Sequence, residues 1–298
     1  MTTTRVAIPR KGRPLEAVLE RLAARTGTTE LADEIISTLR YEKDLTKGNQ
    51  SDDDDVYRRL ADYSDLDDPT RPEFTLLRDD RDGMPRRVVF DSVTVPTDSG
   101  SVQFIGREEP FRALRTHEFA LGFDSADLVL EEVVELRDEP LWTIAEINDR
   151  IDPLDTDVRV ATGLGDTVYH TLLARPAVAD GGGRPLDREF VRRYAGELCI
   201  SPRYERLIEA VIGTAALEDI TFTYPESGQE EEAAIADTGL GVYLTVTGST
   251  ARDHGLELGE QLFPSETVLL RNDSERTPAT ERVAKLFTEP DATALQSL

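Results

Sequence analysis

The chain has 298 residues, of which 59 are acidic and 34 are basic, so its formal net charge is −25 at pH 7. This length allows one large domain or two ordinary ones, and so acidic a chain is not expected to bind nucleic acid or an anionic membrane. No segment reaches the roughly 20 apolar residues of a membrane span, and the N-terminus lacks a secretory apolar region, so we expect a cytoplasmic protein.

The types of charged residue indicate adaptation to high salt. The chain has four lysines, Lys11, Lys43, Lys47 and Lys285, and its other basic residues are arginines. Concentrated salt screens a large negative charge, and carboxylates keep the surface hydrated. Runs of acidic residues such as 52–55 are therefore interpreted as solvated surface. With one cysteine and three scattered histidines, the sequence predicts neither a disulfide framework nor a zinc motif.

The first 22 residues predict a strand, a basic loop and a helix. Residues 5–9 are a strand-like segment with the apolar run Val-Ala-Ile at 6–8, ended by Pro9, and Leu15, Val18 and Leu22 recur at helical spacing. In open α/β sheets, ligands lie beyond the carboxyl ends of the strands. Lys11 and Arg13, in the loop between these elements, are therefore candidates for binding phosphate. An exposed basic turn is the alternative.

An acidic, proline-broken segment follows at about 41–101, with short strand-like pieces at 87–90 and 93–95. It is interpreted as an elaborated insertion with loops, partly ordered at best near its acidic tract. Alternating strand and helix patterns then return at 102–136, which predicts an α/β fold with a parallel or mixed sheet. Asp127 lies between a strand and a helix of this stretch. It is either a helix N-cap or a ligand contact.

The second half continues the same alternation. Residues 198–200, 220–224, 241–246 and 268–271 are predicted strands, and helices are predicted at 187–194, 230–236 and 277–287. Ser201 and Pro202 are typical of a helix start, which would place Arg203 at the positive end of a helix. Residues 245–250, Thr-Val-Thr-Gly-Ser-Thr, come directly after a predicted strand. Hydroxyl side chains around a glycine can present backbone N–H groups to a phosphate, or they can form a plain turn.

Taken in order, these segments resemble the ATP phosphoribosyltransferase family, the first enzyme of histidine biosynthesis. Residues 5–13 resemble that family's opening strand and Lys-Gly-Arg loop, and residues 107–127 resemble its Arg-x-Asp-Ile-Pro and Asp-Leu-Gly-Ile-x-Gly-x-Asp segment. Residues 200–204 are similar to Ile-Ala-Thr-Lys-Tyr-Pro, and 227–230 to a Gly-Ser-x-Glu turn. Residues 246–250, with Gly255 and Leu256, resemble the phosphoribosyl-diphosphate loop, Ser-Thr-Gly-x-Thr followed by Asn-Gly-Leu.

The resemblance implies a fold, a division into lobes and a set of partners. The fold is two-lobed α/β with mixed sheets, similar to type 2 periplasmic binding proteins. Lobe I would comprise 1–135 and 247–298, including the acidic insertion, and lobe II would comprise 136–246. The chain resembles the family's short form, which works with a separate regulatory subunit, and a homo-oligomer is the other expectation.

The resemblance also implies a reaction and its ligands. ATP would displace pyrophosphate from phosphoribosyl diphosphate, with Mg²⁺ and protein donors neutralising the leaving group. The residues implied for phosphoribosyl diphosphate are Val246, Thr247, Gly248, Ser249 and Thr250, and those for ATP or polyphosphate are Lys11, Gly12, Arg13, Asp127, Arg203, Tyr204 and Glu230. No residue is singled out as a general base.

The sequence departs from the family pattern where the ribose is bound. Gly239 and Tyr243 align with the family's two acidic residues, and Ala120 aligns with the first aspartate of Asp-Leu-Gly-Ile. A second hypothesis is therefore a non-catalytic paralogue that senses a nucleotide or another phosphorylated ligand between the lobes. A third is an α/β protein in which both loops are plain turns.

Overall fold

A computed structural model describes residues 3–78, 86–97, 100–179 and 185–288. The chain divides into two compact units. Unit 1 takes in the described residues within Met1–Asp124, Asp157–Leu164 and Thr267–Leu298, and unit 2 comprises Ser125–Thr156 and Gly165–Glu266. Each unit is built on one mixed sheet. The predicted α/β class with mixed sheets is confirmed.

The strands are β1 (Thr3–Pro9), β2 (Glu73–Arg78), β3 (Arg86–Thr97), β4 (Gly100–Arg107), β5 (Leu121–Ser125), β6 (Val158–Gly163), β7 (Val168–Ala174), β8 (Gly196–Cys199), β9 (Ile220–Thr223), β10 (Leu240–Thr245), β11 (Glu257–Ser265) and β12 (Thr267–Asn272). The α-helices are α1 (Arg13–Thr26), α2 (Thr29–Thr46), α3 (Val56–Tyr63), α4 (Pro110–Arg115), α5 (Ala126–Glu132), α6 (Pro176–Ala179), α7 (Arg188–Arg193), α8 (Glu205–Ile212), α9 (Glu231–Thr238), α10 (Ser249–Asp253) and α11 (Pro278–Thr288). Among these helices none is long and apolar enough to cross a membrane.

The sheet of unit 1 has the strand order β2-β3-β4-β1-β5-β12-β6. Strand β1 is parallel to both of its neighbours, β4 and β5. Strand β3 is antiparallel to both β2 and β4. Val6 and Ile8 on β1 are fully buried, and α1 covers the sheet with Leu15, Val18 and Leu22. The predicted order of strand, basic loop and helix is therefore confirmed, and it places the basic loop at the carboxyl end of β1.

The acidic segment at 41–101 combines loops with regular elements where it is described: β3 contains both predicted strand-like pieces, whereas α3 and β2 were not predicted. Tyr41 continues helix α2, and β2 and β3 extend the sheet of unit 1. The acidic tract itself is tied into this structure. Asp55 caps α3 by accepting hydrogen bonds from two backbone N–H groups, and Asp52 accepts one from the Tyr41 hydroxyl. Phe74, Val88 and Phe90 on the two strands are buried, and their burial outweighs the polar composition of the segment.

The sheet of unit 2 has the strand order β11-β7-β10-β8-β9. Strand β10 is parallel to β8 and antiparallel to β7, and β7 pairs with β11 on its other side. Leu173, Cys199, Ile235 and Leu256 form a buried cluster against this sheet.

The division into units differs from the predicted lobes. Residues 125–135 and 247–266, assigned to lobe I by sequence, lie in unit 2. The physical reason is pairing and packing: β11 hydrogen-bonds to β7, and α5 packs against α8. Strands β6 and β11 were not predicted from the sequence. Pairing with distant strands, rather than a strong local pattern, defines them.

Candidate functional site

The turn after β10 carries the hydroxyl-rich motif. Thr245 ends the strand and is held by its neighbour β7, where the hydroxyls of Thr171 and Thr245 lie 2.6 Å apart. Gly248 follows with φ 69°, in the left-handed region, and it immediately precedes helix α10. This backbone conformation suits glycine and is strained for other residues. The chain therefore needs glycine at this position for the turn to close.

The turn is closed by its own side chains. The hydroxyls of Thr247 and Ser249 lie 3.1 Å apart, and the backbone N–H of Ser249 donates to Thr247 Oγ1 at 3.4 Å. Arg252 Nη1 donates to the carbonyl oxygen of Thr247 at 3.1 Å. Thr247, Ser249 and Thr250 are exposed, and no side chain caps α10. The turn thus presents hydroxyls to solvent beside a helix start, and hydroxyls with backbone N–H groups are the chemistry that an anion site uses.

A buried polar cluster lies elsewhere in the same unit. Ser265 Oγ donates to Asp127 Oδ2 at 2.9 Å, and His170 Nε2 lies 3.3 Å from Asp127 Oδ1. The side chains of Asp127 and His170 are 7% and 1% exposed. Ser125 is the N-cap of α5 and accepts from the backbone N–H of Asp127, so the interpretation of Asp127 as an N-cap is wrong. The helix begins two residues earlier than that interpretation requires, so Asp127 lies within the first turn.

Tyr204 connects this cluster to the segment that resembles Ile-Ala-Thr-Lys-Tyr-Pro. Its ring meets the imidazole of His170 edge to face, with centroids 5.0 Å apart. The exposed Arg203 guanidinium lies 5.0 Å from the centroid of the Tyr204 ring. Pro202–Tyr204 form a 3₁₀ turn before α8, with Ser201 at the N-cap position and Pro202 in the first turn as the sequence predicts, although the Ser201 side chain makes no capping hydrogen bond. The 3₁₀ geometry replaces the first helical turn that the sequence predicted.

Tyr243, which occupies an acidic position of the family pattern, is accompanied by carboxylates. Burial, reinforced by the negative charges of Glu231 and Glu232, raises the pKa of Tyr243 to about 12. Both glutamates are in the first turn of α9. Sequence alignment places no acid at position 243, but the fold brings Glu231 and Glu232 to it from another element.

The shifted pKa of Tyr243 predicts a loss of stability at high pH. The folded pKa lies above the ordinary value of 10.0, so the stabilisation is fully present below about pH 10 and is lost as the pH rises through about 12. The loss in the free energy of unfolding over this pH range is on the order of 2 kcal/mol. We expect Tyr243→Phe to remove this part of the pH dependence when the free energy of unfolding is measured by denaturant titration from pH 9 to 12. Parallel curves for the two proteins would contradict the prediction.

Glu230, Gly239 and Asp237 are the remaining residues of unit 2 that the sequence comparison singled out. Glu230 precedes α9, is 74% exposed, and lies 3.3 Å from His254 Nε2 at the end of α10. Gly239 ends α9 with φ 104°, so its role in the structure is to terminate the helix. Asp237 accepts a hydrogen bond from Gln229 at 3.1 Å and lies 3.9 Å from Arg175.

The basic loop belongs to unit 1. Lys11 Nζ lies 3.1 Å from Glu108 Oε2, with both side chains partly exposed. Gly12 has φ 80° and precedes α1 without capping it by a side chain, and Arg13 is the first residue of that helix. The predicted binding residues are thus divided: Lys11, Gly12 and Arg13 lie in unit 1, and all the others lie in unit 2.

Three residues of the unit 2 constellation were not identified from sequence: His170, Ser265 and Glu231. His170 and Ser265 are far along the chain from Asp127 and follow no local motif, so only the pairing of β7 with β11 reveals them. Glu231 belongs to an acidic run that composition alone assigns to the surface. Within the described ranges, no group of three or more histidine, cysteine, aspartate or glutamate side chains is arranged to hold a metal ion.

The fold and these candidate sites define an α/β protein with two mixed sheets and loops suited to anionic ligands. The sequence matches the family model described as halobacterial ATP phosphoribosyltransferase over residues 1–297, and the chain therefore belongs to that family. The resemblance found in the sequence, and the fold similar to type 2 periplasmic binding proteins that it implies, are confirmed. No protein with curated function matches the chain.

Several solved structures are similar to the chain at low sequence identity. A Thermotoga maritima ATP phosphoribosyltransferase (HisG:HisZ) complex has 13% identity and a TM-score of 0.44, covering 95% of this chain and 93% of that one. YhfZ from Shigella flexneri has 12% identity and a TM-score of 0.46, covering 100% and 88%. The VFT2 domain of Bordetella pertussis BvgS has 12% identity and a TM-score of 0.40, covering 99% and 91%.

Proposed function

We propose that the chain condenses ATP with phosphoribosyl diphosphate to give phosphoribosyl-ATP and pyrophosphate, the first step of histidine biosynthesis. The observation that carries this proposal is the turn at Gly248. In a chain of this family, it combines a left-handed glycine, exposed hydroxyls and an uncapped helix start. The reaction needs little covalent help from the protein. Positioning of the two substrates and neutralisation of the leaving pyrophosphate supply most of the acceleration.

The binding residues take separate roles in this proposal. Val246 and Thr247–Thr250 surround the 5-phosphate of phosphoribosyl diphosphate, which the hydroxyls and helix N–H groups contact. Lys11, Gly12, Arg13 and Arg203 face polyphosphate oxygens, where charge-assisted hydrogen bonds are strong. Tyr204 and Glu230 contact the nucleotide. Asp127 is buried against His170, which favours a role in orienting that histidine and, through it, the ring of Tyr204.

Glu231 supplies a carboxylate where the family pattern has lost one. Its negative charge acts on the Tyr243 hydroxyl, which stands at the position of a family aspartate. A carboxylate brought in from α9 can accept hydrogen bonds from ribose hydroxyls as one on β10 would. This compensation supports retained activity.

Mg²⁺ is proposed as the cofactor, carried on the phosphates. Magnesium keeps several waters and binds through substrate phosphates with one or two carboxylates, rather than in an all-protein cage. The ion would neutralise charge on the leaving pyrophosphate. A separate regulatory subunit, or self-association, is proposed for the quaternary structure.

The reaction is tested by mixing the protein with ATP, phosphoribosyl diphosphate and Mg²⁺ in high salt and following pyrophosphate release. We expect release by the wild type and a loss of at least tenfold in Thr247→Val, which removes the hydroxyl and retains the side-chain volume. Thr221→Val is the matched control, because Thr221 is exposed on the edge strand β9. It should retain wild-type release.

A second candidate function is ligand sensing without turnover. Gly239 and Tyr243 in place of the family's acids favour it. No pyrophosphate release, with or without candidate partner subunits, would overturn the enzyme proposal. If phosphoribosyl diphosphate or ATP still raised the Tm under those conditions, the sensor would be supported.

A further inference from the structure

A cavity of about 360 Å³ lies in unit 1, between the start of α1, helix α2 and strand β3. Its volume is within the range of small-molecule pockets. Leu15, Ile36 and Val88, at its base, are all at most 8% exposed, so the base is apolar. We refer to it as the lysine cavity, because its lining includes Lys11, Lys43 and Lys47, three of the four lysines in the chain.

The lining of the lysine cavity is cationic in a strongly acidic protein. Arg40 and Arg87 join the three lysines, and Glu16 and Asp44 are its only acidic lining residues within the part of the chain that the structure describes. Both carboxylates are engaged. Glu16 pairs with Arg40 at 2.6 Å, and Asp44 accepts a hydrogen bond from Asn49 at 3.3 Å. The cations therefore outnumber the acids, and one acid is already neutralised by a cation of the lining.

Three of the cations, Lys43, Lys47 and Arg87, have no ion pair with another described residue. Lys43 lies in the last turn of α2 and Lys47, four residues on, is its C-cap residue, so the two like charges are close enough to repel one another. Lysines near a helix C-terminus interact favourably with the helix dipole, and this interaction accounts for a lysine at either of the two positions. That interaction does not explain why Arg87 on β3 and Lys11 beyond β1 converge on the same cavity.

The backbone adds to the positive potential. Gly12 lines the cavity and precedes α1, whose N-terminus has no side-chain cap. The N–H groups of a helix start carry partial positive charge and bind anions. An apolar base lowers the local dielectric, which strengthens the attraction for an anion at the cationic rim.

We propose that the lysine cavity binds a linear polyphosphate group. Several cations set along one helix face, with others on a neighbouring strand and loop, match a chain of phosphates better than a single carboxylate. The group can come from ATP, from phosphoribosyl diphosphate or from released pyrophosphate. The proposal shares Lys11 with the proposed active site but requires no turnover, so it stands or fails separately.

The test uses inorganic tripolyphosphate as the probe and isothermal titration calorimetry at one fixed salt concentration. We expect the double variant Lys43→Gln/Lys47→Gln to raise the Kd at least tenfold, and Arg87→Gln to raise it at least threefold. Lys285→Gln is the matched control, because Lys285 is the fourth lysine and is exposed on α11. It should change the Kd less than twofold. A double variant with an unchanged melting temperature and the wild-type Kd would overturn the proposal.

Two further experiments identify the molecule that supplies the polyphosphate group and distinguish the lysine cavity from the turn at Gly248. Titrations with ATP, phosphoribosyl diphosphate and pyrophosphate should all lose affinity in the double variant, and the largest loss marks the natural source. Thr247→Val should still bind tripolyphosphate as the wild type does. If Thr247→Val abolished tripolyphosphate binding and the lysine substitutions did not, the site would lie at the turn and the proposal would be wrong. Absence of catalysis, in contrast, would leave the tripolyphosphate result unchanged.

Discussion

Gly248→Ala is expected to lower the free energy of unfolding by about 2–3 kcal/mol and to abolish binding of phosphoribosyl diphosphate. The φ of 69° at this residue costs an alanine about 1 kcal/mol. A Cβ atom built there would also lie 2.1 Å from Cδ2 of Leu258, so that side chain must move. Overpacking of this kind costs about 1–3 kcal/mol. The turn would shift, and its hydroxyls and N–H groups would no longer converge.

Gly255→Ala is the matched control for this prediction. Gly255 has nearly the same φ, 72°, but a Cβ atom there meets nothing within 4 Å. We expect a loss of about 1 kcal/mol from backbone strain alone, with ligand binding retained. Denaturant unfolding compares the two variants. Leu258→Ala in the Gly248→Ala background should recover part of the stability, and equal losses in the two glycine variants would contradict the argument.

Asp127→Ala is expected to destabilise the protein by about 2–4 kcal/mol, because it removes a buried carboxylate and leaves its partners uncompensated. Ser265 loses an acceptor at 2.9 Å, and His170, 1% exposed, loses the facing carboxylate oxygen. Helix α5 also loses a negative charge in its first turn. Guanidinium unfolding measures the loss, with Ser265→Ala alone and in combination to determine the coupling between the two side chains.

Asp127→Asn separates the structural role from direct ligand contact. The amide keeps an acceptor for Ser265 and most of the volume, so we expect a smaller loss of stability than with alanine. If Asp127→Ala left the free energy of unfolding unchanged and still abolished ATP binding, Asp127 would act on the ligand directly. The orienting role proposed for it would then be wrong.

The motifs with short-range signals were predictable from sequence. Strand β1, the basic loop and α1 follow from an apolar run, a glycine and helical spacing within 22 residues. The hydroxyl-rich turn follows in the same way from a strand pattern that ends in Thr-Gly-Ser-Thr. In both cases local propensity and the hydrophobic pattern agree, so little depends on distant contacts.

The elements that depend on distant partners were not predictable. Within 41–101 the apolar pieces at 87–90 and 93–95 predicted parts of β3, but β2 was missed, because its pairing with β3 and the burial of Phe74 define it. Strand β11 was missed because its pairing with β7, rather than its own sequence, defines it. Asp127 is a residue type common at N-caps, but the backbone begins α5 two residues earlier, so Ser125 caps that helix.

The sequence by itself determined the family, the α/β class and the order of the basic loop and the hydroxyl-rich turn, because these properties reside in short segments whose local conformation is strongly specified. Only the tertiary structure placed Glu231 and Glu232 near Tyr243. It also packed Asp127 against His170 and Ser265, and it brought three lysines to the lining of one cavity. Those groupings join residues far apart along the chain. The burial of side chains between sheet and helix sets the distances between these residues, and no local sequence pattern encodes that burial.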